Sequence, residues 1–231
     1  MINKFKFLTA TALFSLVSAC GGGGDTAAPV ASTQTFPLKA IHINLVISPS
    51  SEYFTISGTA SGVAVTGSGS LTSSNLSAGT FEGLSALQGT STMTGSFVAN
   101  GVTYPLNLIS ISWFDSNYVP KGTSSNSEYS VITGTPTIPT AGRINDTGIL
   151  YTENLYTSST KAVFLGTETT SYVVEADTAS TALLTITSVE KNTSGITTNT
   201  STNQYRITPT GTAKRIKGTS VGGATSLLFT F

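Results

Sequence analysis

One cysteine, Cys20, and one histidine, His42, are all the thiol and imidazole that this chain of 231 residues holds. No disulfide framework is open to it, and no cluster of Cys and His ligands for zinc. The pairs that activate a serine or cysteine nucleophile shrink to those built on His42 alone. Charge is scarce too, at 10% of residues, and is balanced at 11 basic against 11 acidic side chains. Without Lys4 and Lys6 the count becomes 9 against 11, a net charge of −2 with His42 neutral. No basic surface remains to pair with phosphates, which excludes nucleic acid as a partner. No stretch carries a helical period over three turns. Cofactor motifs are absent as well, so no cofactor is expected.

Little charge leaves room for hydroxyls, and serine and threonine crowd the chain from Thr26 to Thr230. Threonine is β-branched and favours pleated strands, so the hydroxyls are expected on the solvent face of sheets. With 39% hydrophobic residues in alternating segments, the chain has the means to fold.

The N-terminus runs from Lys4 and Lys6 through the apolar stretch Phe7 to Val17 to small residues before Cys20. That order is the layout of an export signal, and the apolar stretch is too short to span a bilayer permanently. Val17-Ser18-Ala19-Cys20 resembles the lipobox of bacterial lipoproteins. The resemblance implies cleavage before Cys20, lipidation of its thiol and a membrane anchor made of acyl chains. A lone thiol in an exported protein is a liability unless chemistry consumes it, which agrees with that reading. Gly21 stands where inner-membrane lipoproteins of Gram-negative cells carry aspartate, and Cys20-Gly21-Gly22-Gly23-Gly24 is similar to the start of many proteobacterial lipoproteins. This implies the outer membrane. Residues 1–19 are thus read as signal peptide and 20–35 as lipidated cysteine and tether. Flexible composition gives that tether a reach on the order of 20 Å.

Beyond the tether the periodicity is two. Leu38 to Ser48 alternates, with Ile41, Ile43, Leu45 and Ile47 on one face and His42 on the other, and is expected to form a strand. Tyr53 to Thr59, Val63 to Leu71 and Leu106 to Phe114 read likewise. Asn100-Gly101 between two apolar runs is the strongest hairpin signal, because a type I′ turn needs positive φ at both central residues. Val119 to Ser127 lacks periodicity and marks a boundary between a β-rich half, 36–122, and a second, 123–231. Strands recur in the latter from Tyr129 to Phe231. The fold class expected is all-β, an antiparallel sandwich or barrel that could comprise two β halves. Ser51 to Thr59 matches Ser127 to Thr135 at six of nine positions, over one strand only.

Motifs with catalytic associations fail on context. Gly218-Thr219-Ser220-Val221-Gly222 has the form of a nucleophile elbow, but residues 223–231 read as a strand and His42 precedes Ser220. Asp146-Thr147-Gly148 matches one loop of an aspartic protease and has no second copy. Ser158-Ser159-Thr160-Lys161 lacks the partner motifs of penicillin-binding enzymes. A carboxylate pair stays open, from Glu52, Glu82, Asp115, Glu153, Glu168, Glu175 and Asp177. Trp113, Phe114, Tyr118, Tyr151 and Tyr156 could form an aromatic platform, although Trp113 shares its face with Ile109 and Ile111 and reads as core. Leu227, Phe229 and Phe231 are similar to the terminal strand of outer-membrane barrels, while Ser and Thr on both faces of many strands argue against a lipid-facing band.

The expectation is a non-catalytic, lipid-anchored module at the cell envelope, with Cys20 its one assigned residue and no metal. Its partners would be the membrane, through lipid, and an envelope protein or glycan. The alternatives are a structural component of an envelope complex and a carboxylate-dependent hydrolase.

Overall fold

The computed structural model describes residues 31–231, so Cys20, the signal segment and most of the tether lie outside the described residues. One helix, α1 (Leu38–Ile47), precedes thirteen strands. These are β1 (Ser50–Ala60), β2 (Val63–Ser73), β3 (Ser77–Phe81), β4 (Leu84–Ala99), β5 (Val102–Phe114), β6 (Pro120–Ser125), β7 (Tyr129–Thr133), β8 (Thr147–Tyr156), β9 (Phe164–Ala176), β10 (Ala182–Asn192), β11 (Thr197–Ile207), β12 (Ala213–Gly222) and β13 (Thr225–Thr230). Sequential neighbours pair antiparallel, except that β2 pairs with β1 and β4, and β13 returns to β1. Twelve strands therefore close a barrel, and β3 pairs with β4 alone. Closure removes the free edges of the twelve barrel strands and leaves one at β3.

The hairpins follow from local chemistry. Asn100 and Gly101 have φ of 50° and 73°, which builds the expected type I′ turn between β4 and β5. Ser61-Gly62 and Glu82-Gly83 do the same between β1 and β2 and between β3 and β4. Neither of these two turns carries the Asn-Gly signature that marks the first.

Two expectations are corrected. Leu38 to Ser48 is not a strand: Leu38–Ile47 is helical, and His42 lies on its buried side near Leu38 and Ile41. The stretch LKAIHINLVI is apolar almost throughout, so periods of 2 and 3.6 fit it equally, and tertiary packing decides. The Val119 to Ser127 stretch is not a structureless divider, since it contains β6, and the sheet runs through it from β5 to β7. It is thin there, with Ser124 opposite Tyr129 as the one pairing between β6 and β7.

Inward residues make two apolar clusters. Phe36, Leu38 and Ile41 meet Val174, Leu184, Tyr205 and Ile207 below α1. Phe54, Ile56, Val65, Leu71, Leu227 and Phe229 fill the wall formed by β1, β2 and β13. Gly69 admits the Phe54 ring there, since a Cβ at Gly69 would sit 2.7 Å from Cζ of Phe54. Outward positions carry hydroxyl rungs. Thr187, Thr202 and Thr219 lie opposite one another across β10, β11 and β12, with a 2.7 Å hydrogen bond between the Thr202 and Thr219 hydroxyls.

A small aromatic cluster, Phe81, Trp113 and Tyr129, sits where the β3–β4 hairpin meets β5 and β7. The Phe81 and Trp113 rings stack at 4.7 Å between centroids. Three polar ties pin α1 and its approach to the loops at one end of the barrel. Phe36 exchanges backbone hydrogen bonds with Gly142, Nε2 of His42 lies 2.9 Å from the Tyr118 carbonyl, and Nδ2 of Asn44 donates to the Gly211 carbonyl.

Candidate functional site

Antiparallel register places three glutamates in one inward row. Glu153 on β8 is opposite Glu168 on β9, which is opposite Glu190 on β10. Like charges directly opposite across strands repel, so this row is stable only if protons or partners neutralise it. Glu153 is 5% exposed. The fully buried Ser130 hydroxyl donates to it at 2.6 Å, and Ser130 itself accepts from the Thr123 backbone N–H at 2.8 Å.

Burial pushes the Glu153 carboxyl well above the usual range, and the neighbouring Glu168 pushes it further. Burial also raises Glu168, against the Ser188 hydroxyl that bonds to it. Glu153 and Glu168 are hydrogen-bonded to each other, in the sense that raises the former and lowers the latter. With its pKa pushed up to about 8, Glu153 holds its proton at neutral pH.

Two cavities flank this pair. A chamber of about 250 Å³ lies between α1 and the inner wall, with Glu153 in its lining. Leu38, Ile41, His42 and Leu45 form its roof, a spacing that gathers them on one side of the helix. Ile132, Leu150, Tyr151, Tyr172, Leu184 and Ile186 contribute to the walls. Burial lifts the Tyr151 hydroxyl above the usual phenol range. Burial also lowers His42, so its ring is neutral and Nε2 carries the hydrogen given to Tyr118. A second cavity, of about 440 Å³, opens towards the other end of the barrel and is lined by Glu128, Glu168 and Glu190.

Of the carboxylates singled out from sequence, the structure brings Glu153 and Glu168 together. The others are engaged separately. Glu52 faces Arg215, Glu82 pairs with Lys161 and accepts from Tyr129, and Asp177 pairs with Arg206. Asp115 accepts from the backbone of Asn117 and Val119 in the β5–β6 turn, and Glu175 accepts from Thr185.

Ser220 lies within β12 opposite Ser201 and Leu227, with a strand and no helix after it. Asp146 closes a turn by accepting the Arg143 N–H. Ser158 is in a loop, bonded to Thr160. Trp113 is in the aromatic cluster with Tyr156 packed against it, Phe114 and Tyr151 line the chamber, and the Tyr118 carbonyl holds His42, so the five aromatics do not form one platform. Among the described residues no group of three or more His, Cys, Asp or Glu is arranged to hold a metal ion.

Sequence reasoning passed over Ser130 and Glu190. For Glu190 a signal existed: Glu168 and Glu190 are equally far from the centre of the β9–β10 turn, whereas a bulge offsets Glu153 and Glu168 by one residue about the β8–β9 loop. No known protein family, curated protein or solved structure matches this chain.

Proposed function

We propose that the protein is a lipid-anchored, non-catalytic binding barrel of the bacterial outer membrane, tethered through Cys20. The observation that carries the binding role is the chamber under α1, enclosed by apolar and aromatic side chains with few polar groups among them. Concave, mainly apolar sites with a few placed polar groups are the usual form of small-molecule sites. The hydroxyl rungs on the outward strand positions support a barrel that meets water and relies on lipid at Cys20 for attachment.

Native mass spectrometry of the protein purified from its own envelope tests the binding role. A small molecule retained without a covalent bond is the expected result, and a uniformly empty protein opposes it. A Cys20→Ser variant should lose acyl labelling and leave the membrane fraction, and persistence in that fraction would refute the anchor.

The Glu153–Glu168 pair favours one other reading, a carboxylate-dependent hydrolase. Glycosidases hold their carboxyl groups about 5 to 9.5 Å apart, with the scissile bond or a water between them. Here the two stand directly opposite on adjacent strands, at the near end of that range, and Ser130 already occupies one of them. Loss of a measured hydrolytic activity in Glu168→Gln would reverse the preference.

A further inference from the structure

The chamber under α1 has a chemistry narrow enough to name its ligand class. No lysine or arginine is in its lining, and apart from tyrosines its ionisable side chains are His42 and Glu153. His42 is committed to the Tyr118 carbonyl, and Glu153 accepts from Ser130 and lies against Glu168. Burial keeps the His42 ring neutral, and Glu153 keeps its proton. An anion entering the chamber would meet no cation in the lining, since the nearest, Arg215, lies behind Asn203 and is paired with Glu52, and a cation would meet no carboxylate that is not already sharing a proton. Ions left unpaired in such surroundings are strongly disfavoured.

Size and polarity narrow the class further. A cavity of about 150 Å³ accommodates benzene, so the chamber's volume corresponds to roughly ten non-hydrogen atoms. Among the polar groups in the lining, the Asn203 amide is half used. The Asn203 amide oxygen accepts from Nη1 of Arg215 at 2.9 Å, which leaves its amide nitrogen as a donor. Lining hydroxyls are engaged with protein at Thr170, bonded to Ser188, at Tyr151, bonded to Thr170, and at Thr123, bonded to Ser130.

Resting on the proposed binding role, we infer that this chamber takes one uncharged aromatic or alicyclic molecule of about ten non-hydrogen atoms that presents a single hydrogen-bond acceptor to Asn203. The rings would pack between Ile41 and Leu45 of the roof and Ile186 of the wall. The acceptor would point to β11, where Asn203 lies opposite Ile186.

The test uses the full lipoprotein in nanodiscs and four related probes: 1-indanone, indane, protonated 2-aminoindane and indane-2-carboxylate. Calorimetric titration against protein-loaded and empty nanodiscs separates occupancy of the protein from partition into lipid. Binding of 1-indanone at one per chain is expected, with indane about fivefold weaker for want of the acceptor. Displacement should show both ions about a hundredfold weaker. Ile186→Phe and Leu45→Phe, on opposite sides of the chamber, should each abolish binding. Asn203→Leu should bring 1-indanone down to the level of indane.

An ion that binds as well as 1-indanone overturns the neutral class, and binding that survives both filling variants overturns the location. If no probe binds, the class assignment fails. A retained molecule of another kind in native mass spectrometry would then show that the binding role itself survives.

Discussion

At Glu153 a single inward carboxyl sets a pH dependence opposite to that of most acidic groups. Its folded-state pKa is pushed up to about 8 from an ordinary 4.5, chiefly by burial. Between those values the folded chain binds a proton that the unfolded chain releases. Stability from this group is therefore fully present at low pH and is lost as pH rises through that window, by at most about 1.4 kcal/mol per pH unit for one proton. Glu82 and Asp177, both lowered by their cationic partners, act at more acid pH and in the other direction. His42, lowered by burial, favours the folded state as pH rises towards 6.5. Urea unfolding of wild type and Glu153→Gln across pH 5.5 to 8 cancels the contribution of His42, since both proteins contain it. The variant should lose less stability than wild type as pH rises. Equal slopes would mean that Glu153 is ionised in the folded barrel.

Among the elements, α1 is the one whose packing matters most to the site. It has no side-chain cap at its N-terminus, and at ten residues it is too short to persist alone. What holds it is burial of Phe36, Leu38 and Ile41, each contributing roughly 2 kcal/mol, together with its ties to the surrounding loops. Ile41→Ala should cost about 2 to 4 kcal/mol in denaturant unfolding while far-UV circular dichroism stays that of the barrel. A change below about 0.5 kcal/mol, usual for exposed positions, would contradict the burial of this helix. The same element shows what sequence could and could not reveal. Strands such as β10, which combines Ala182, Leu184 and Ile186 on one face with turn signals, were legible because burial and period agree. In β4 the run from Gln88 to Ser96 is almost all Gly, Ser and Thr, so pairing with β2 and β5 decides what alternation does not signal. Glu153 and Glu168 were legible as candidates but not as a pair, because adjacency across strands depends on register. The chamber needs α1 seated against β10 and β11, a long-range contact that no local pattern carries.

For the whole molecule, the question is which solvent the barrel's outer surface suits. A lipid-facing barrel needs a continuous apolar band on outward positions, with aromatic girdles at its rims. Here the outward residues of β1 are Tyr53, Thr55, Ser57 and Thr59, and those opposite them on β2 are Ser70, Ser68, Thr66 and Ala64. On β4 the row continues as Thr94, Ser96 and Val98. Exposed Leu228 and Val98 are isolated among hydroxyls, and scattered apolar side chains of this kind are normal on water-soluble surfaces. Thr and Ser satisfy each other across strands there, as Ser70 does with Thr94 at 3.1 Å, and remain open to water. In the proposed anchoring, lipid at Cys20 makes the membrane attachment and the strands make none. A Cys20→Ser protein exported to the periplasm should purify from aqueous buffer without detergent and elute as a compact particle in size-exclusion chromatography. It should show the far-UV spectrum of a β protein with little helix. A requirement for detergent to keep that variant in solution would instead place the strands themselves in the bilayer.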